Sequence, residues 1–210
     1  MSDTGITNTR WASIGIGLVA ATMAYNSLEA VIAIWSGVDA GSIALVGFGL
    51  DSIIELAAAA VLFWRLRVEA RGADSETIER TERRVHRFVG VTFIALAIYV
   101  TVQSGWTLWT ANVPRESALG IILAVASLVI MPLVSFGKLR AARELGSAAL
   151  RAEAKETLAC SYLSLTLLLG LIANAFAGWW WADPAAALLM VPWLIKEGRE
   201  GLSGEECGEE

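Results

Sequence analysis

At 210 residues, 56% hydrophobic and 18% charged, with a mean hydropathy of +0.58, the chain is too apolar for an ordinary soluble domain. Apolar runs recur along its whole length, and a membrane-crossing helix needs about 20 such residues, so no separate soluble domain can be fitted in. The net charge of -5 is segregated, with basic residues in two loops and acids at the C-terminus and inside a few apolar runs, a distribution that points away from nucleic acid.

Six helices are predicted, over 11–35, 41–65, 87–111, 116–137, 148–177 and 184–197, making an all-α membrane protein. Residues 1–10 form a short N-terminal segment without the basic region and cleavage site of a signal peptide, and the run from Trp11 to Trp35 is too long for one. Residues 11–197 make the transmembrane domain. Trp35, Trp64, Trp106, Trp109, Trp179, Trp180, Trp181 and Trp193 fall at or near the proposed ends, where an amphipathic ring prefers the headgroup region.

The first helix carries Asn26 and Glu29 one turn apart; they either line a polar pathway or hold a helix contact. In the second, GFGLDSIIELAAAA sets Asp51 and Glu55 four residues apart on one helix face. A charge at the bilayer centre costs about 2.5–3.5 kcal/mol, and neither side chain is long enough to reach the headgroups. The pair is a hydrogen-bonded structural element, a set of protonated acids, or half of a cation site.

The loop over about 66–86 mixes both signs and reads as a solvated helical extension with pairs such as Glu79 and Arg83, or as a contact for anionic lipid. His86, the single histidine, belongs to that surface. The second basic loop, over about 138–147, has Ala and Leu at helical spacing and is expected to run straight into the fifth helix. There AEAKETLAC places Glu156 and Cys160 four apart, with Glu153 and Lys155 expected at the interface and Ser161, Ser164 and Thr166 as polar packing contacts. An antiparallel pairing of the second and fifth helices brings Asp51 level with Cys160 and Glu55 level with Glu156. Three carboxylates and a thiol then form a four-coordinate shell suited to a divalent transition metal. Cys160 taken alone is as well explained as a small buried hydrophobe.

Before the sixth helix, Asp183 and Pro184 read as an N-cap and a first-turn proline, and Pro192 as a kink or a stop. Residues 198–210 are an acidic tail in which Glu205, Glu206, Cys207, Glu209 and Glu210 are a disordered segment or a collector of metal ions. Cys160 and Cys207 cannot build a disulfide framework. Apart from Arg115, every Lys and Arg lies in segments on the N-terminal side of the membrane, so the positive-inside rule puts both termini in the cytoplasm. No nucleophile, base and orienting group assemble, so an enzyme is not expected.

The segment over 26–67 resembles the first two membrane helices of the cation diffusion facilitator family. SIALVGFGLDSIIE is similar to the family's second-helix motif and sets Asp51 and Glu55 at its ligand positions; AEAKETLAC does the same for Glu156 and Cys160 in the fifth; Asp183 and Pro184 match the Asp-Pro that commonly opens the sixth. Two departures stand out. Neither motif keeps a histidine, and Phe48 replaces the Asp usual three residues before the first ligand. After the sixth helix there is only a tail where typical members carry a cytoplasmic domain, so the chain looks like the domainless vesicular zinc-transporter relatives. The resemblance implies a homodimer that exchanges a divalent metal, zinc first, for protons by alternating access, in a bacterial inner membrane. Manganese, iron or cadmium at the same site, and a metal or carboxyl network with a purely structural role, are the alternatives. A pathway for protons or organic cations through the same acids is a further one.

Overall fold

A computed structural model describes residues 3–69, 75–111 and 113–203, with side chains for 10–64, 87–111, 113–147 and 150–203. These residues form six helices and no strand: α1 (Asp3–Ala40), α2 (Ile43–Glu69), α3 (Ser75–Thr110), α4 (Ala118–Leu145), α5 (Ala148–Ala177) and α6 (Ala182–Ser203). All six expected helices are present; α1, α2, α4 and α6 run past their expected C-terminal ends, and α5 ends where expected, at Ala177. An apolar window marks where a helix is dry, whereas intrahelical hydrogen bonds carry it on into water.

The stretch expected to lead into the fifth helix belongs instead to the end of the fourth. Residues 138–145 are the last turns of α4, which stops because Gly146 takes the left-handed conformation at φ 63°, and Ser147 restarts the chain by accepting a hydrogen bond from the Leu150 N–H at 3.3 Å. Gly41, at φ 69°, makes an equally short reversal between α1 and α2. Pro192 lies inside α6 without shortening it. The acidic tail beyond Ser203, with Cys207, and the side chains of Glu79, Arg83 and His86 lie outside the described residues.

One end of the bundle is defined by contacts between its connections. Arg115 bonds the carbonyl and carboxylate of Asp39, the latter at 3.2 Å; Asn174 Nδ2 donates to the Pro114 carbonyl at 3.1 Å. There too the Asp183 carboxylate accepts from the Ile43 N–H at 2.8 Å and from the Ser42 hydroxyl. Asp183, expected to cap its own helix, therefore sits fully buried in the first turn of α6 and caps α2. A carboxylate at a helix N-terminus meets unpaired N–H groups and the positive end of the dipole. The α4–α5 connection at Gly146 and Ser147 lies at the opposite, basic end, with the last turns of α2 and α6.

The most extensive packing is between α1 and α2, α4 and α5, and α3 and α6. At the α3–α6 crossing a Cβ on Gly90 would stand 2.8 Å from the Gly198 carbonyl oxygen and 2.9 Å from the Gly201 carbonyl carbon, so the two backbones touch. The shared core holds Leu45, Phe48, Met131, Leu163, Leu167 and Met190. Outside it, large apolar side chains such as Val31, Val102, Leu133 and Phe176 face outward, as a lipid-solvated bundle requires.

Five helices, α1 to α5, are long and apolar enough to cross a membrane. In α6 only 184–195 is apolar, about 18 Å at 1.5 Å per residue, before Lys196, Glu197, Arg199 and Glu200. Its N-terminal carboxylate is already satisfied by α2, and α3 and α5 cover its flanks. Trp35, Trp64, Trp106, Trp109, Trp179 and Trp181 are exposed near helix ends, but Trp193 turns inward.

Candidate metal centre

Asp51 is eight residues and Glu55 twelve residues into α2, about 12 and 18 Å along its axis and so near the middle of its apolar stretch. Their side chains leave the same face of α2 and meet Cys160 of α5. One ligand atom from each of Asp51, Glu55 and Cys160 lies within 4.8 Å of the others, with Asp51 and Cys160 buried and Glu55 partly so. Three donors this close can contact one small cation at roughly 2.0–2.3 Å each after slight side-chain adjustment.

The three donors open onto a narrow cleft between α2, α3, α5 and α6. Glu156, one turn before Cys160, lines that cleft with Phe93, Trp193 and Glu197, but it is not in the converging group of three. The expected four-residue set is thus brought to one cleft, with three members together and Glu156 beside them. Glu197 escaped the sequence reading because its motif-free position on α6 gives no clue to which face meets α2 and α5. Trp193 adds an aromatic wall, and the Lys196 ammonium lies 5.0 Å from its ring centre.

Asn26 and Glu29 take different roles. Asn26 is fully buried and its Nδ2 donates to Glu55 Oε2 at 3.0 Å, while its Oδ1 has no hydrogen-bond partner among the described residues. Glu29, also fully buried, accepts from Ser52 at 2.8 Å and from Ser127, whose hydroxyl lies 2.7 Å from the Tyr25 hydroxyl. That network ties α1 to α2 and α4 and does not line the cleft.

At the basic end a second polar group was missed. Lys138 of α4 is fully buried, and its ammonium donates to Glu153 Oε1 at 2.6 Å and to Thr157 Oγ1 at 3.0 Å. Glu153 is therefore an internal ion-pair partner and not an interfacial residue, whereas Lys155 is exposed. Lys138 read as one more basic residue of a loop because its partner lies on another helix. Ser164 and Thr166 turn back onto their own helix, bonding the Cys160 carbonyl at 2.8 Å and the Leu163 carbonyl at 2.8 Å.

The cation efflux transmembrane domain matches residues 18–203, which takes in all the residues of the cleft. An uncharacterized transporter of Synechocystis sp. is 30% identical over 151 residues, which are 70% of this chain and 49% of that protein. The chain spans about half the length of that relative. With the matched domain covering nearly all of the described bundle, the chain belongs to the cation efflux family.

Proposed function

We propose that the protein carries a divalent metal cation, zinc first, out of the cytoplasm in exchange for protons. The observation that carries this reading is the meeting of Asp51, Glu55 and Cys160 at mid-depth in a bundle of long apolar helices. Two carboxylates and a thiol bind a proton each or share one metal ion, so metal and proton compete for the same atoms, and each flux is coupled to the other. The thiol favours zinc or cadmium, while the oxygen donors keep manganese and iron as competitors.

In this reading Asp51, Glu55 and Cys160 hold the ion and Glu156 is the donor through which it passes between them and the basic end of the cleft. Glu55 is steadied by Asn26. The segregation of Lys and Arg orients the basic end, with both termini, toward the cytoplasm of a bacterial cell. Exposure of the cleft to one side and then the other, by rocking of packed helices, completes the cycle. The proposal includes a homodimer joined through membrane helices.

Reconstituted vesicles test it. A zinc gradient should drive proton movement with the unaltered chain and should fail to do so with Asp51→Ala or Glu156→Ala. Undiminished zinc-driven proton flux in both variants would remove the assignment of the site.

A further inference from the structure

The three converging donors leave a four-coordinate ion one ligand short, and the first helix carries an oxygen with no other task. Asn26 Oδ1 is a carbonyl oxygen on a fully buried side chain, without a hydrogen-bond partner among the described residues. Burying such a group unpaired costs on the order of 1–3 kcal/mol, a loss that a native bundle avoids unless the group has a use. The same side chain is already at the site, since its Nδ2 lies 3.0 Å from Glu55 Oε2.

That separation bears on coordination. Two oxygens bound to one ion at roughly 2.0–2.2 Å lie about 2.8–3.1 Å apart in an octahedral shell and about 3.3–3.6 Å apart in a tetrahedral one. A half-turn of the amide about its last side-chain bond exchanges nitrogen for oxygen and puts Oδ1 where Nδ2 now stands. The oxygen is then within about 0.3–0.6 Å of the spacing of a neighbouring tetrahedral ligand of Glu55, a gap that slight side-chain adjustment closes. Without an ion the amide does the reverse, offering its N–H to the carboxylate.

We infer that Asn26 is a metal ligand, its Oδ1 joining Asp51, Glu55 and Cys160 so that α1, α2 and α5 all contribute to one shell. This rests on the metal-carrier reading above. A neutral donor from α1 completes the coordination without adding a fourth negative charge to the bundle interior, where each further charge is expensive. It also couples α1 to the presence of the ion, because the amide bonds a carboxylate in one state and the metal in the other.

Calorimetric titration of zinc into the purified full chain separates a ligand from a mere hydrogen-bond donor. Asn26→Ala should weaken binding about tenfold or more under either role. Asn26→Asp keeps an oxygen but loses the N–H, so a ligand role predicts binding at least as tight as the unaltered chain. A donor role predicts a loss as large as that of alanine, because two carboxylates would then face each other. Asn26→Asp binding as weakly as Asn26→Ala would overturn the inference. An independent variant guards against misfolding: cobalt-loaded Asn26→Cys should show about twice the thiolate-to-cobalt absorption of the unaltered chain, and an unchanged band would also overturn it. Failure of the parent reading looks different, as zinc would then bind neither the unaltered chain nor any variant, or would bind Asp51→Ala as well as the unaltered chain.

Discussion

Replacing Lys138 by Met tests how the α4–α5 interface is held. The Lys138 ammonium is fully buried and makes two short bonds, 2.6 Å to Glu153 and 3.0 Å to Thr157. Its removal strands Glu153, which is 7% exposed and whose Oε2 already lacks a partner among the described residues. Breaking a buried pair from one side costs about 3–5 kcal/mol, because the surviving charge keeps its desolvation penalty and loses its counter-ion. At roughly 2–4 °C per kcal/mol for a chain of this size, that is a fall of about 6–20 °C in melting temperature. Glu153→Leu should cost a comparable amount by stranding the lysine. The double variant Lys138→Met, Glu153→Leu should recover most of the loss, since an apolar pair of similar volume replaces two charges that had to be dehydrated. Thermal unfolding of the detergent-solubilised chain, followed by the fluorescence of its tryptophans, reads all three. Single variants melting within a degree or two of the unaltered chain, or a double variant melting below both, would refute the reasoning.

Three further outcomes are expected. Asp183→Ala removes the acceptor of the Ile43 N–H and the Ser42 hydroxyl and should lower stability by about 1–3 kcal/mol, whereas Asp183→Asn, which keeps an acceptor, should lose less; the same melting assay checks the order. Gly90→Ala should be worse than Gly198→Ala, since the new methyl at Gly90 meets backbone at 2.8 and 2.9 Å, while that at Gly198 first meets the end of the Ile94 side chain at 2.6 Å, which can turn away. Cys160→Ser should reduce zinc affinity by about tenfold or more and leave manganese affinity much less changed, as competition titrations would read, because a hydroxyl replaces the single soft donor.

The helices and half of the site were legible because both depend on spacing within one segment. Apolar length marks a helix, and a four-residue interval between Asp51 and Glu55, repeated between Glu156 and Cys160, marks one face of it. What depends on contacts outside those two paired motifs was not legible. Asp183 caps α2 and not α6, and Lys138 pairs with Glu153 across a helix boundary. In each case the residue's own neighbourhood suggested a sufficient but different role. Glu156 is the intermediate case. Antiparallel pairing puts it level with Glu55, but helices that cross at an angle diverge away from the crossing, and no residue spacing reports where the crossing lies.

The packing pattern gives the proposed cycle a physical basis. The ligand-bearing helices are each packed along their length against another helix, α2 against α1 and α5 against α4, but touch one another only sparingly. A close-packed interface resists partial displacement, so α1 with α2 and α4 with α5 are the tightest pairs, and α1 also meets α4 through Glu29, Tyr25 and Ser127. Between the pairs the direct side-chain link at the site consists of Asp51 and Glu55 on one side and Cys160 on the other. In the proposed reading an ion held there adds a link between α2 and α5 beside the Glu29–Ser127 contact of α1 with α4, and protons on the same atoms withdraw it, so occupancy itself changes the free energy of displacing one pair from the other. Asn26 extends that bridge to α1, and the buried Lys138–Glu153 pair holds α5 to α4 while the bridge is made and broken. The polar residues of this bundle thus divide by what satisfies them. Glu29 with Ser127 and Lys138 with Glu153 are satisfied by each other, whereas in the proposed reading Asp51, Glu55 and Cys160 are left to be satisfied by the ion.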